Sequence, residues 1–316
     1  MTQTLVDLAS DAVARAMRLG ATAADALVVD ARSIEAAVRE GKREKLEQSE
    51  SREVGLRVFV GQASAVIAGS VLTPDALDRL AEKAVAMAKL APADEYAGLA
   101  NGEILARGTA DLDLVSEQSF DADQLHQLAL AAEAASLSVP GVTKAGGAGA
   151  SASDREVAMA NSNGFAKGYR RTSFSVSASA IAGDGTRMER DYDFSATVHR
   201  GDLENAEKIG RSAGERVVKR LNPRKIKSQQ VPIIYDSRIA PGLVGHLVGA
   251  VLGSAIARGT SFLKDMLRQQ VFAPGINVID DPTIRRGLAS RPFDGEGIAG
   301  KTLKIVDNGV LATWLL

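Results

Sequence analysis

The chain contains no cysteine, which excludes disulfides, thiolate metal sites and cysteine nucleophiles within it. Histidine occurs only three times, at His126, His199 and His246, so a histidine-rich metal centre would need all of them to converge. Aromatic residues make up 4% of the sequence, so its cores must be built from small and branched aliphatic side chains. Neither sign of charge dominates: 38 basic residues against 39 acidic ones leave a net charge of −1, with no global attraction to nucleic acid or an anionic membrane. No apolar run approaches membrane-spanning length. The opening residues lack a basic segment followed by an apolar one, and a cytoplasmic protein is the expectation.

What remains is an ordinary globular composition, 45% hydrophobic and 24% charged, over 316 residues, enough for two domains. Leu5, Leu8, Val13 and Met17 have helical spacing and Gly20 supplies a stop. Between Asp25 and Ser70 the pattern changes to short β-type segments, "DALVVDARS", "IEAAVREGK", "EVGLRVFV" and "ASAVIAGS", the last two turning at Gly61-Gln62. Thr73-Pro74 opens a helix as N-cap and first helical residue.

A second cycle follows: a helix capped at Asp121 or Asp123, then "VTKAGGAGASASDREVAMANSNG", read as two strands joined at Ser153-Asp154. A hairpin around Asp184-Gly185 carries a hydroxyl face at Ser173, Ser175, Ser177 and Ser179, and a helix precedes Leu221. Residues 1–222 are therefore assigned to an N-terminal α+β domain, 223–230 to a proline-flanked linker, and 231–316 to the start of a β-rich C-terminal domain. In the last of these "VPIIYD" is expected as a strand, Gly242 to Ala257 as a buried helix, and "TLKIVDNGVLATWLL" as a hairpin turning at Asp307-Asn308-Gly309. An apolar strand at Leu316 with no polar exit makes the chain read as a piece of a longer protein. The fold class is α+β, with mixed or antiparallel sheets and flanking helices.

Candidate chemistry is sparse. His246 sits in "GLVGHLVGAVLGSAIARGTSFL", a stretch without Asp or Glu, so a packed or hydrogen-bonded histidine is the better reading than a metal ligand. Gly245, Gly249 and Gly253 recur every four residues and give that helix a stripe open to close backbone approach. In "RPFDGEG", Arg291 to Gly297, glycines let Asp294 and Glu296 be presented together to a cation, a substrate amine or another subunit; a simple Asp-Gly turn is the competing reading. Asp280-Asp281-Pro282 reads as a turn. "KRLNPRKIK" has five positive charges in nine residues but no aromatic partners, so a solvated linker is preferred over a nucleic-acid site. The serine-rich strand has no Gly-x-Ser-x-Gly elbow, and "AGGAGAS" lacks the Lys and Ser/Thr of a phosphate-binding loop.

The segments "GLVGHLVGAVLGSAIARGTSFLKDMLRQQVFAPGINVIDDP", "GLASRPFDGEGI" and "DNGVLATWLL" strongly resemble the TldD/PmbA family, also called modulator of DNA gyrase. The branch they resemble is the PmbA (TldE) one, and "EVGLRVFVGQASAVIAGS" with "TPDALDRLAEKAVAMAKLAPAD" extends the likeness over essentially the whole chain. The resemblance implies an assembly of two related subunits that degrades or trims unfolded or small peptides. It also implies that the TldD branch carries a His-Glu-x-x-x-His zinc motif on the corresponding helix. In that register Gly245 takes the place of the first histidine, His246 that of the glutamate and Ala250 that of the second histidine.

The expectation is thus a non-catalytic PmbA/TldE-type subunit with no cofactor of its own, zinc residing in a TldD-like catalytic partner. Gly249, Gly253, Arg291, Asp294 and Glu296 are the candidate peptide or subunit contacts. A homodimer is compatible with the chain in isolation; a membrane or nucleic acid is not an expected partner. Two alternatives stay open: an independently active metallopeptidase, and a regulatory protein binding DNA gyrase or a toxin–antitoxin system.

Overall fold

The computed structural model describes residues 4–316. Thr4 starts the first helix, α1 (Leu5–Arg18), with a reciprocal cap in which its hydroxyl accepts from the Asp7 N–H and the Asp7 carboxylate accepts from the Thr4 N–H. The chain then forms β1 (Ala23–Arg39), β2 (Lys42–Val60), β3 (Ala63–Gly69), α2 (Pro74–Leu90), α3 (Ala122–Leu137), β4 (Val142–Asn161), β5 (Ala166–Ala182), β6 (Glu189–Thr197) and α4 (Ala206–Lys219). The strands make one antiparallel six-stranded sheet in the order β3-β2-β1-β4-β5-β6. With helices flanking it, the fold is α+β.

The strands are far longer than the short segments read from the sequence. β1 is one strand of 17 residues, β2 has 19, and β4 runs 20 residues straight through Ser153-Asp154, where a turn was expected. Along β1, every second residue faces the helices, and their chemistry changes twice. Ala24, Ala26 and Val28 join Val54, Leu56, Val58, Ala158 and Ala160 under α1 and α2. Ile34, Ala36 and Val38 join the alanine-rich core under α3 and α4, with Phe174 and Val176 from β5. Between them Asp30 stands opposite Arg52 and Glu156, and Arg32 opposite Glu50 and Asp154. Ion pairs Arg52–Asp30 and Arg170–Asp154 lie in this seam. The strand breaks expected after Ser33 and at Ser153-Asp154 are absent, and this charged strip is the gap between two helix pairs.

Small residues set the helix packing. At Gly210 of α4 an added Cβ would lie 1.9 Å from the Ala132 carbonyl oxygen of α3, so only glycine allows that approach. The two helices can therefore share one layer over β4 and β5.

The second compact unit comprises residues 224–283 and 300–316, while 284–299 belongs with the first unit. It holds α5 (Pro241–Val251), α6 (Gly253–Ala257), β7 (Val278–Asp280), β8 (Leu303–Asp307) and β9 (Val310–Leu311). The β8–β9 hairpin turns at Asn308-Gly309, both at positive φ (49° and 82°). Three expectations need correction. "VPIIYD" is not a strand: no strand pairs with it among the described residues, and Ile233 and Ile234 are 71% and 96% exposed. The helix expected to continue to Ala257 breaks at Leu252, because Val251 and Gly253 turn their backbones to Leu315 (2.9 and 2.7 Å). Nor is it buried all round: Leu247, Ala250 and Val251 are buried, but Leu243 and Val244 are about half exposed.

The β1–β2 hairpin tip is fixed by a buried acid. Glu133 on α3 is 2% exposed, and its two carboxylate oxygens accept the Glu40 and Gly41 N–H groups at 2.9 and 2.7 Å. Beyond the reach of β3, β2 offers an edge from Lys42 to Glu53 that pairs with β1 alone among the described residues. Alternating charges and a bulge opposite Ala37/Val38 blunt that edge against further strand pairing. Replacing the anchor, Glu133→Ala, strands two tip N–H groups. It is expected to cost about 1–3 kcal/mol in denaturant unfolding and to raise amide exchange at Glu40 and Gly41.

Candidate functional site

Side-chain alternation places Asp25, Leu27 and Arg57 on the sheet face opposite the helices, and the segment 284–299 lies against that face. Its anchor is aromatic. Phe293 is buried and meets Phe165 and Tyr169 edge-on, with ring centroids 5.0 and 5.3 Å away. At Gly297, φ is +82° and an added Cβ would touch the Phe165 ring at 3.0 Å, so glycine is required both for the turn and for the contact. The Gly297 carbonyl accepts the Ala106 N–H at 2.8 Å.

The turn separates the roles of its two acids. Asp294 Oδ1 accepts the Glu296 and Ile298 N–H groups, both at 2.9 Å, and so holds the loop's shape. Glu296 reaches outward, and its Oε1 accepts from Arg57 Nη2 at 2.9 Å. Arg57 also grips Asp25 through Nε (2.9 Å) and Nη2 (2.6 Å). This doubly paired guanidinium is held above its ordinary pKa, first by its hydrogen bond to Asp25 and further by Glu296, against the opposing effect of burial. Beside the triad is a recess of about 400 Å³ whose apolar wall is Leu27 and Val66, 43% and 63% exposed, over buried Met159.

A second ionic anchor lies in the same segment. Arg286 Nε donates to Asp113 Oδ2 at 2.6 Å and its Nη1 to Asp202 at 3.0 Å. His199 Nε2 lies 3.1 Å from Asp113 Oδ1 and 2.9 Å from the Asp113 carbonyl oxygen, so this histidine packs against the same acid. The Arg286 hydrogen bond is the main reason that the Asp113 carboxyl sits below its ordinary range.

Of the residues singled out in the sequence, Asp294 and Glu296 meet on the first unit and Arg291 is exposed nearby in the chain. Gly245, His246 and Gly249 are exposed on α5, and an added Cβ at either glycine would meet nothing within 4 Å. His246, expected to be packed or hydrogen-bonded, is therefore exposed rather than packed. Ala250 is buried, its carbonyl accepting the Ser261 hydroxyl at 2.6 Å, and Gly253 packs on Leu315 and Leu316. Sequence reasoning missed Asp25 and Arg57. A charge at a regular position of an apolar strand, as in "EVGLRVFV", was the available signal that a partner must cover it.

Fold and sequence together define a metallopeptidase-family protein. Residues 24–88, 116–221 and 228–316 match, respectively, domain 1, the central domain and the C-terminal domain of the PmbA/TldA metallopeptidases. The chain belongs to this PmbA/TldD family. It is 32% identical to Metalloprotease PmbA of Escherichia coli O157:H7 over 310 residues, covering 97% of this chain and 69% of that protein. A PmbA homolog of Haemophilus influenzae is also 32% identical, over 99% of this chain and 70% of its own length. The fold is shared with a Bacteroides thetaiotaomicron protein described as a modulator of DNA gyrase (TM-score 0.93, 24% identity, 99% of this chain and 72% of that one). It is shared too with TldE of Thermococcus kodakarensis (TM-score 0.80, 18% identity, 97% and 69%).

The family name implies a metal in its catalytic members, and the donor set of this chain does not fit one. Gly245 and Ala250 have no ligating atom, and among the described residues no group of three or more His, Cys, Asp or Glu side chains could hold a metal ion. Two outcomes follow for the anchors. Arg57→Ala leaves the nearly buried Asp25 carboxylate unpaired and is expected to cost about 2–3 kcal/mol, less than a fully buried pair because Arg57 is partly solvated; denaturant midpoints measure it. A carboxyl with a lowered folded-state pKa stabilises above its unfolded pKa and loses that contribution as pH falls through the folded value. Asp113→Asn should therefore flatten the loss of stability as pH falls through and below the ordinary carboxylate range, read as the difference in midpoint against wild type.

Proposed function

We propose that this chain is a non-catalytic PmbA/TldE-type subunit of a TldD/TldE-like heteromeric zinc metalloprotease acting on unfolded or small peptides in the cytoplasm. The reading is carried by the residues of α5: the register that the resemblance implies puts Gly245, His246 and Ala250 at the positions of a zinc motif, and neither Gly245 nor Ala250 has a ligating atom. The fold shared with a TldE and the identity to PmbA proteins support the same branch. Also in its favour, no described helix is long and apolar enough to cross a membrane.

In this reading the zinc, its polarising of the scissile carbonyl and its activation of water belong to the TldD-like partner. This chain supplies surfaces that admit and orient peptide. Gly249 on α5, Gly253 at the start of α6, and Arg291, Asp294 and Glu296 on the 284–299 segment are the proposed contacts with peptide or partner. Asp294 shapes the loop and Glu296 makes the contact, a division that follows from their hydrogen bonds.

The test is cleavage of an unfolded polypeptide by the full-length protein alone, by a TldD-type counterpart alone, and by the mixture. Cleavage that requires the mixture and disappears with a chelator is the expected result, with zinc well below one equivalent in this subunit alone. Chelator-sensitive cleavage by this subunit alone would overturn the reading in favour of an independent peptidase. Tight binding to DNA gyrase without any cleavage by the mixture would favour the regulatory alternative.

A further inference from the structure

The recess beside Arg57 combines features that together select a ligand class. Three carboxylates, Asp25, Asp294 and Glu296, surround one guanidinium, so the site is electronegative. Asp25 spends both oxygens on Arg57. Glu296 uses only Oε1 for that purpose, and its Oε2 has no hydrogen-bond partner among the described residues. The same recess has an apolar wall, Leu27 and Val66, both exposed. Gly55, paired in register with Leu27 on one side and Ala68 on the other, keeps the floor open, for an added Cβ there would meet nothing within 4 Å.

We propose that this recess binds a basic side chain of an extended peptide, arginine or lysine. Its ammonium or guanidinium lies on Glu296 Oε2 and its aliphatic stem on Leu27 and Val66. The inference rests on the reading of the chain as a peptide-handling subunit and names the side chain that it takes. A long basic side chain suits the site because it carries both an apolar stem and a charged head. The recess, about 400 Å³, is at the small end of ligand sites and admits a side chain with its neighbour, not a folded domain. An anionic residue is disfavoured, since the only cation present is already paired twice. A metal ion is disfavoured as well, because among the described residues no cluster of three or more ligating side chains lies here.

The experiment uses the intact chain with methyl-labelled Leu, Val and Met, titrated by NMR with N-acetyl-leucyl-arginine amide. The same peptide ending in norleucine or glutamate serves as the comparison. The expected result is saturable shifts at the Leu27, Val66 and Met159 methyls for the arginine peptide only, weakening with added salt. Glu296→Gln keeps the acceptor for Arg57 and removes the charge, so the loop stays in place while affinity for the arginine peptide falls about tenfold, equivalent to about 1.4 kcal/mol. Gly55→Val fills the recess with a residue suited to a strand and abolishes the shifts, with unchanged methyl spectra elsewhere reporting an intact fold. Equal affinity for the norleucine peptide, shifts confined to other methyls, or no saturable shift would each overturn the proposal. Binding is read without a partner or a cleavage step. A chain that binds the arginine peptide but supports no cleavage in the mixture refutes the subunit reading alone, and the reverse result refutes the recess alone.

Discussion

The length of the strands governs the first unit. A strand of 17 to 20 residues extends about 55–65 Å, whereas helices of 14 to 17 residues extend only about 21–26 Å. One helix pair cannot cover such a sheet, so two pairs share its face and each gathers its own core. Water reaches the strip between them, and that strip carries the alternating charges of Asp30, Arg32, Arg52, Asp154 and Arg170. The alanine content follows from the same demand, because helices laid side by side on a wide sheet pack closely only where side chains are small.

The opposite face is put to a different use. There the 284–299 segment, distant in sequence, is fixed by an aromatic cluster and by two ionic anchors, Arg57–Glu296 and Arg286–Asp113. These fixings turn a glycine-rich stretch, which as a free loop would be costly to order, into one wall of a recess. The carboxylate pairs with a guanidinium that is itself locked by Asp25, so Glu296 is presented in one orientation. Pre-organisation of this kind lowers the entropy that a ligand must overcome on binding.

Membership of the PmbA/TldD family and the residues of α5 point in different directions. In the register that the resemblance to the TldD branch implies, this helix has glycine and alanine at the two ligand positions, and neither side chain can hold a metal. Its glycine stripe is exposed at Gly245 and Gly249, so the close approach that the spacing permits is not met by any described part of its own unit. The proposed role in shaping and guiding a substrate therefore rests on surfaces, with the chemistry assigned to another chain.

Local signals in the sequence were enough for the α+β class, the N-cap positions at Thr73 and Asp121, the helices α1 to α4, and the turns at Gly61-Gln62, Asp184-Gly185 and Asn308-Gly309. Each depends on a few neighbouring residues: a hydroxyl or carboxylate at a cap, a helical period, or a residue suited to a tight turn. Strand length was not legible, because the polar stretches at Ser33 and Ser153-Asp154 read as strand ends until two separate helix pairs are seen to leave a charged strip of continuous strand between them. "VPIIYD" misled in the opposite sense, its apolar pattern lacking a strand to pair with. The Glu296–Arg57–Asp25 triad joins residues 239 and 32 positions apart, and no spacing rule links them. The sequence by itself determined the local elements and the family, since both are written in short motifs. Tertiary structure alone decided which charges are paired, which acid shapes the loop and which faces outward, because those depend on contacts made only when distant strands and the 284–299 segment share one face.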